Sequence, residues 1–170
     1  MSTEISPEAK YKLIKEIAEK RNINVMIETG TLGGDALYIL MNTFLKIYSI
    51  EIDIELYKNA IEKFKHCQNI EILYGDSALI LPTILEEKIN ERCLFWLDAH
   101  TVDSSPILHE LNAIKNHWIK NHIILIDDYS YFYGTIKNVR YEDISKCLKE
   151  MQYNNFRIEN DILIVGDNTI

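Results

Sequence analysis

The chain has 170 residues, 47% of them hydrophobic and 26% charged, the make-up of a single ordinary globular domain covering residues 1–170 and not of a disordered or fibrous chain. Eighteen basic residues against 26 acidic ones give a net charge of -8 spread along the sequence, which makes duplex nucleic acid and anionic membranes poor partners. Three cysteines without metal-ligand spacing, a polar stretch from Met1 to Lys12 and no apolar run of transmembrane length lead us to expect a reduced, cytoplasmic protein.

Along the chain, short β-branched runs alternate with longer amphipathic stretches. Pro7 opens a helix whose stripe runs through Tyr11, Ile14 and Ala18, widened by Leu13 and Ile17. A first strand at Val25-Met26-Ile27 leads into the glycine turn Glu28-Thr29-Gly30-Thr31-Leu32-Gly33-Gly34 and a helix from about Asp35 to Met41. The second strand, Lys46 to Ile50, ends in Glu51-Ile52-Asp53 before a helix carrying Leu56, Ala60, Ile61 and Phe64. The third, Ile70 to Tyr74, closes at Gly75-Asp76-Ser77; Ala78 to Lys88 is helical, with Pro82 acceptable only near the start of a continuous piece.

Cys93 to Leu97 is apolar without alternation, as a strand covered on both faces reads, and ends at Asp98. Ser105-Pro106 caps a helix that buries Ile107, Leu108, Leu111, Ile114 and Trp118. His122 to Ile126 is a fifth strand ending at Asp127-Asp128, followed by an aromatic loop from Tyr129 to Arg140 and a last helix near Glu142 to Met151. Phe156 to Ile158 and Ile162 to Val165 close the chain as an antiparallel hairpin. The sum is an α/β fold, a mostly parallel seven-stranded sheet with a C-terminal antiparallel hairpin and helices on both faces.

In such a sheet the ligand crevice lies beyond the carboxyl ends of the strands. Glu28, Glu51, Asp76, Asp98 and Asp127-Asp128 all fall there. Any one of them reads equally as a helix cap, but together they crowd anionic groups into one crevice. Glu28 and Asp35 flank the glycines, and neither Gly-Lys-Ser/Thr nor G-x-G-x-x-G is present, so the turn is not built for phosphate. A ligand with a cationic amino-acid end and a ribose fits better. Glu51 is placed to accept from ribose hydroxyls, Asp76 from an exocyclic purine amine or from the start of its own helix, and Asp53 reads as a cap.

These motifs resemble the class I S-adenosylmethionine-dependent methyltransferases, and within them the metal-dependent small-molecule O-methyltransferases. The resemblance covers roughly Val25 to Val165. It rests on Glu28 through Leu37 as the first motif, Glu51 in Tyr48-Ser49-Ile50-Glu51-Ile52-Asp53, Gly75-Asp76-Ser77, Phe95 to His100, and Ile124 to Asp128. It implies a cofactor site of Glu28, Gly30, Thr31, Gly34, Glu51 and Asp76, and a Mg²⁺ site of Asp98, Asp127 and Asp128. Where many metal-dependent relatives have Asp-Asn, this chain has Asp127-Asp128. His100, two residues past Asp98, is a candidate proton acceptor beside it. His109, His117 and His122 read as exposed helix residues, and Trp96 as core.

Tyr129, Tyr131, Phe132 and Tyr133 fit an aromatic acceptor pocket or a homodimer seam equally. Two other functions stay open on the same fold. One is a non-catalytic cofactor-binding or interaction module; the other is a Mg²⁺-dependent hydrolase or phosphotransfer enzyme, which would need a cation that no strand end supplies. The acceptor itself, a small molecule, is not written in the sequence.

Overall fold

The computed structural model describes residues 6–101 and 103–167. Helix α1 (Pro7–Arg21) starts where Ser6 Oγ accepts from the Ala9 amide and stops at Asn22, whose left-handed backbone (φ 52°) turns the chain toward the sheet. There follow β1 (Val25–Thr29), α2 (Asp35–Leu40), β2 (Lys46–Glu51), α3 (Ile54–Phe64), β3 (Ile70–Tyr74), α4 (Ser77–Lys88) and β4 (Cys93–Leu97). Then come α5 (Ile107–Asn116), β5 (Ile123–Ile126), a 3-10 turn at Tyr129–Tyr133, α6 (Tyr141–Glu150), β6 (Phe156–Glu159) and β7 (Ile162–Val165).

The strands form one sheet in the order β3-β2-β1-β4-β5-β7-β6. The first five strands are parallel, and β7 inserts antiparallel between β5 and β6. Strand order reverses between β1 and β4, which opens the crevice of a doubly wound sheet at the glycine turn. Alternation along the strands divides the core into two layers. Ile27, Ile50, Phe95, Leu97 and Ile124 pack with Leu81, Leu111, Ile114 and Leu148 on the α4–α6 side. Met26, Ile47, Leu94, Trp96 and Leu125 pack with Ile14, Ile17, Leu37 and Phe64 on the α1–α3 side. The β6–β7 hairpin turns on two residues, Asn160 and Asp161, both with positive φ, as a tight primed turn requires. Among the described residues no helix is long and apolar enough to cross a membrane.

The structure departs from the sequence reading at three places. Helix α4 runs unbroken through Pro82, well past its first turn; its buried face of Leu81, Ile84 and Leu85 offsets the backbone hydrogen bond a proline cannot donate. Trp118 is 69% exposed, because α5 ends at Asn116 and the extended His117 turns the chain one residue before it. His117 and His122, expected on the surface, are buried in its place. Their rings stack with centroids 5.1 Å apart, and His117 Nδ1 lies 2.9 Å from His122 Nε2.

Candidate active site

The glycine turn leaves β1 through Gly30 (φ +88°), where a Cβ would lie 2.8 Å from the Asp98 carbonyl oxygen, so the ends of β1 and β4 approach as closely as backbone allows. Gly34 (φ +73°) starts α2, and a Cβ there would run into the Phe64 ring. Glu51 braces the turn. Its two oxygens accept from the Leu32 amide and the Asp53 amide, each at 2.8 Å. Thr31 and Ser49 hydroxyls lie 2.6 Å apart, and Ser49 in turn donates to Glu28, its register partner on β1. Burial pushes the Glu28 carboxyl up to about 8, against the Ser49 hydrogen bond and with Asp98 and Glu51 adding to the rise. Asp76 caps α4 through the Ala78 amide at 2.9 Å, and Asp53 caps α3 as its position suggested.

At the other half of the crevice, Asp98, His100 and Asp128 bring one ligand atom each within 4.8 Å of one another. His100 Nε2 lies 3.5 Å from Asp98 Oδ1 and 3.6 Å from Asp128 Oδ2, outside hydrogen-bond range of both. That nitrogen is buried without a hydrogen-bond partner among the described residues. Burial and the Asp127 charge push Asp98 up to about 7, while His100 holds Asp128 down at about 2 and Asp128 raises the imidazole in return. The imidazole edge meets Tyr131, ring centroids 5.5 Å apart. Tyr129 and Phe132 point into the core instead, and Tyr133 is exposed, stacked on Tyr141.

Asp127 is turned away from this group toward Lys10 of α1, whose Nζ lies 2.6 Å from Asp127 Oδ1 and 2.7 Å from Asp128 Oδ1. Lys10 is the residue the sequence reading missed: no motif marks a lysine in the first helix as a neighbour of the fifth strand. A second unforeseen group is Glu110 of α5, 1% exposed, whose carboxyl is pushed up to about 7 by burial even with Ser77 and Thr29 beside it. Its place on the inward stripe of α5, one residue before Leu111, was the only signal available.

Carboxylate oxygens of Asp98 and Asp128 are hard donors of the kind that hold Mg²⁺ through one or two carboxylates and several waters. Asp128 offers Oδ2, since Oδ1 is engaged by Lys10, and the orphaned His100 nitrogen faces the same point. The donor set therefore fits a divalent cation.

No family model matches the sequence, and no curated protein does. Solved structures do match. The O-methyltransferase TomG from Streptomyces achromogenes, involved in tomaymycin synthesis and solved with its S-adenosylmethionine, has a TM-score of 0.64 at 14% identity, covering 97% of this chain and 82% of that one. An S-adenosylmethionine-dependent methyltransferase from Clostridium acetobutylicum gives 0.64 at 13% identity, over 95% of this chain and 91% of the other. The Podospora anserina methyltransferase PaMTH1, bound to S-adenosylhomocysteine, gives 0.63 at 12%, over 95% and 79%. The chain has the Rossmann-like fold of the class I S-adenosylmethionine-dependent methyltransferases. At these identities the likeness is one of fold, and the chemistry has to be argued from the crevice.

Proposed function

We propose that residues 1–170 act as one S-adenosylmethionine-dependent methyltransferase domain that methylates a hydroxyl of a small molecule. The observation that carries this reading is the meeting of two half-sites at one sheet edge: the glycine turn packed on the Asp98 carbonyl, and the orphaned His100 nitrogen between Asp98 and Asp128. Gly30, Thr31 and Gly34 shape the methionine end, with Glu28 near its amino group. Glu51 keeps a second lone pair on each oxygen for ribose hydroxyls while it braces the turn. Asp76 has its second oxygen for the adenine amine.

In the reaction the acceptor oxygen attacks the sulfonium methyl, the carbon–sulfur bond breaks with its electron pair staying on sulfur, and the hydroxyl proton passes to His100 Nε2. Asp98 and Asp128 stabilise the imidazolium that results. Mg²⁺ held by Asp98 and Asp128, when bound, would lower the pKa of the acceptor hydroxyl. Asp127, paired with Lys10, keeps Asp128 in place. Tyr131 supports the ring of His100 and forms one wall for an aromatic or sugar acceptor. Lys10 does not favour a phosphotransfer reading, because two carboxylates already engage its charge. The three free thiols, two of them buried, accord with a cytoplasmic site of action.

Calorimetric titration with S-adenosylmethionine and S-adenosylhomocysteine, with and without Mg²⁺, followed by mass-spectrometric methyl transfer to catechols and sugars, tests this. Absence of cofactor binding would end the proposal. Methyl transfer indifferent to Mg²⁺ and chelator would retire the metal and leave the donor assignment standing.

A further inference from the structure

The ammonium of Lys10 reaches the proposed cation site from outside the motifs that build it. Lys10 stands four residues before Ile14 and seven before Ile17, on the stripe of α1 that enters the core, so the helix carries it about one turn beyond its packed residues to the end of β5. Its side chain is 13% exposed, and Nζ bridges two carboxylates, 2.6 Å from Asp127 Oδ1 and 2.7 Å from Asp128 Oδ1. The same Asp127 oxygen accepts from the Asp128 amide at 2.8 Å. Asp128 has a left-handed backbone there (φ 45°), and its second oxygen faces His100 Nε2 at 3.6 Å. One carboxylate therefore separates the ammonium from the point where Asp98, His100 and Asp128 converge.

We propose that Lys10 is a positioning residue of the divalent-ion site: a tethered counter-cation that takes Asp127 out of the donor set and leaves the ion to be held weakly, through Asp98 and Asp128. The three carboxylates lie close together, near enough for the Asp127 charge to act on Asp98. Without Lys10 they would offer a divalent ion three hard oxygen donors. With it, Asp127 faces the ammonium, Asp128 is shared, and a positive charge stays on the far side of that carboxylate, about 5 Å from the ion. Even at the dielectric of water, a single and a double positive charge at that separation repel enough to weaken binding about tenfold. The tether makes the effect lasting. Leu13, Ile14, Ile17 and Ala18 fix α1 in the core, so the ammonium does not leave as a free cation does. The consequence is an ion that arrives and departs readily, its shell completed by water or by the acceptor's own oxygens.

The inference rests on the metal part of the proposed function and not on the methyl donor. Mn²⁺ titrated calorimetrically into the full chain at about pH 8, where free carboxyls are ionised, with neither donor nor acceptor present, reads it directly. Lys10→Met and Lys10→Gln should each bind Mn²⁺ about tenfold more tightly than wild type, and Lys10→Arg, which keeps the charge, within about threefold of it. Lost packing does not tighten a metal site, so the gain separates this role from a merely structural one. Lys10→Gln retains an N–H donor for Asp127 and decides the matter if Lys10→Met does not fold. Adding Asp98→Asn to Lys10→Gln should abolish the gain. Equal or weaker Mn²⁺ binding by a folded Lys10→Gln protein would overturn the inference and leave the metal reading standing. A gain that survives Asp98→Asn would place the ion elsewhere and overturn it too. If neither wild type nor Lys10→Gln binds Mn²⁺, the metal reading and the inference fall together, and the donor assignment is untouched.

Discussion

Lys10 Nζ sits 2.6 Å from Asp127 Oδ1, joining the first helix to the end of the fifth strand through a pair whose side chains are 13% and 8% exposed. Burial works against the Lys10 ammonium, yet its bonds to Asp127 and Asp128 hold its pKa above the usual value, whereas Asp127 is raised by burial in spite of Lys10. The carboxylate therefore depends on that one ammonium for its charge.

Lys10→Met leaves Asp127 buried without a cation. Breaking one side of a buried pair costs roughly 3–5 kcal/mol. Urea unfolding at neutral pH should show a loss of that order, and Lys10→Arg should recover most of it. A loss under about 1 kcal/mol would mean that water reaches the pair and screens it.

The His117–His122 pair predicts a response to acid. The Cys93 amide donates to His122 Nδ1 at 3.1 Å, so the ring proton sits on Nε2 and points at His117 Nδ1. Burial, with His117, Arg92 and Lys120 adding, pulls His122 down to about 4, and burial lowers His117 as well. The unfolded chain takes up a proton near pH 6.5 that the folded pair refuses. The pair's contribution is thus full above that pH and is lost as pH falls toward 4. His122→Asn retains an acceptor for the Cys93 amide but does not titrate. The difference between wild-type and variant unfolding free energies should shift by about 3 kcal/mol over this range. Taking the difference matters because Glu28, Asp98 and Glu110, all raised, give the opposite slope. A pH-independent difference would show that the rings do not titrate as a buried pair.

Gly30→Ala should fold less stably by about 1–3 kcal/mol and lose cofactor affinity, since it combines a left-handed backbone with a methyl group 2.8 Å from the Asp98 carbonyl. Thermal melts and S-adenosylhomocysteine titration report the two effects separately. Equal affinity in wild type and variant would remove the turn from the cofactor site.

Asp98→Asn should lower methyl transfer by about 10²- to 10⁴-fold while cofactor binding stays within a few-fold of wild type. Loss of binding and turnover together would instead give Asp98 a place in the cofactor site.

Most of the fold could be read from periodicity, because the parallel strands are short, mainly apolar runs with an acid at or within two residues of each carboxyl end. Asp53 capping α3 and Trp96 in the core are local matters, and local patterns carried them. What the sequence hid was long-range pairing. Lys10 meets Asp128 across 118 residues, and nothing in an amphipathic helix says which exposed-looking lysine will face a strand end. The two buried histidines were misread because His117 lies just past the helix end, where the helical period no longer applies, and His122 just before a strand. Glu110 looked like a polar position between apolar ones; only the packing of α5 on β1 and α4 shows that it points inward.

Glu28 and Thr29 are neighbours on β1, so their side chains leave the sheet in opposite directions. One engages Ser49 on the α1–α3 side; the other meets the Glu110 carboxyl, beside Ser77, on the α4–α6 side. The glycine turn is consequently pinned like an axle seated in two bearings, one in each helical layer. It resists tilting toward either layer, and compliance is left to the stretch from Leu32 to Gly34, which Glu51 and Lys63 hold by single contacts at Leu32 N and Gly33 O. A ligand arriving at the strand ends would meet a rigid seat with one yielding lip.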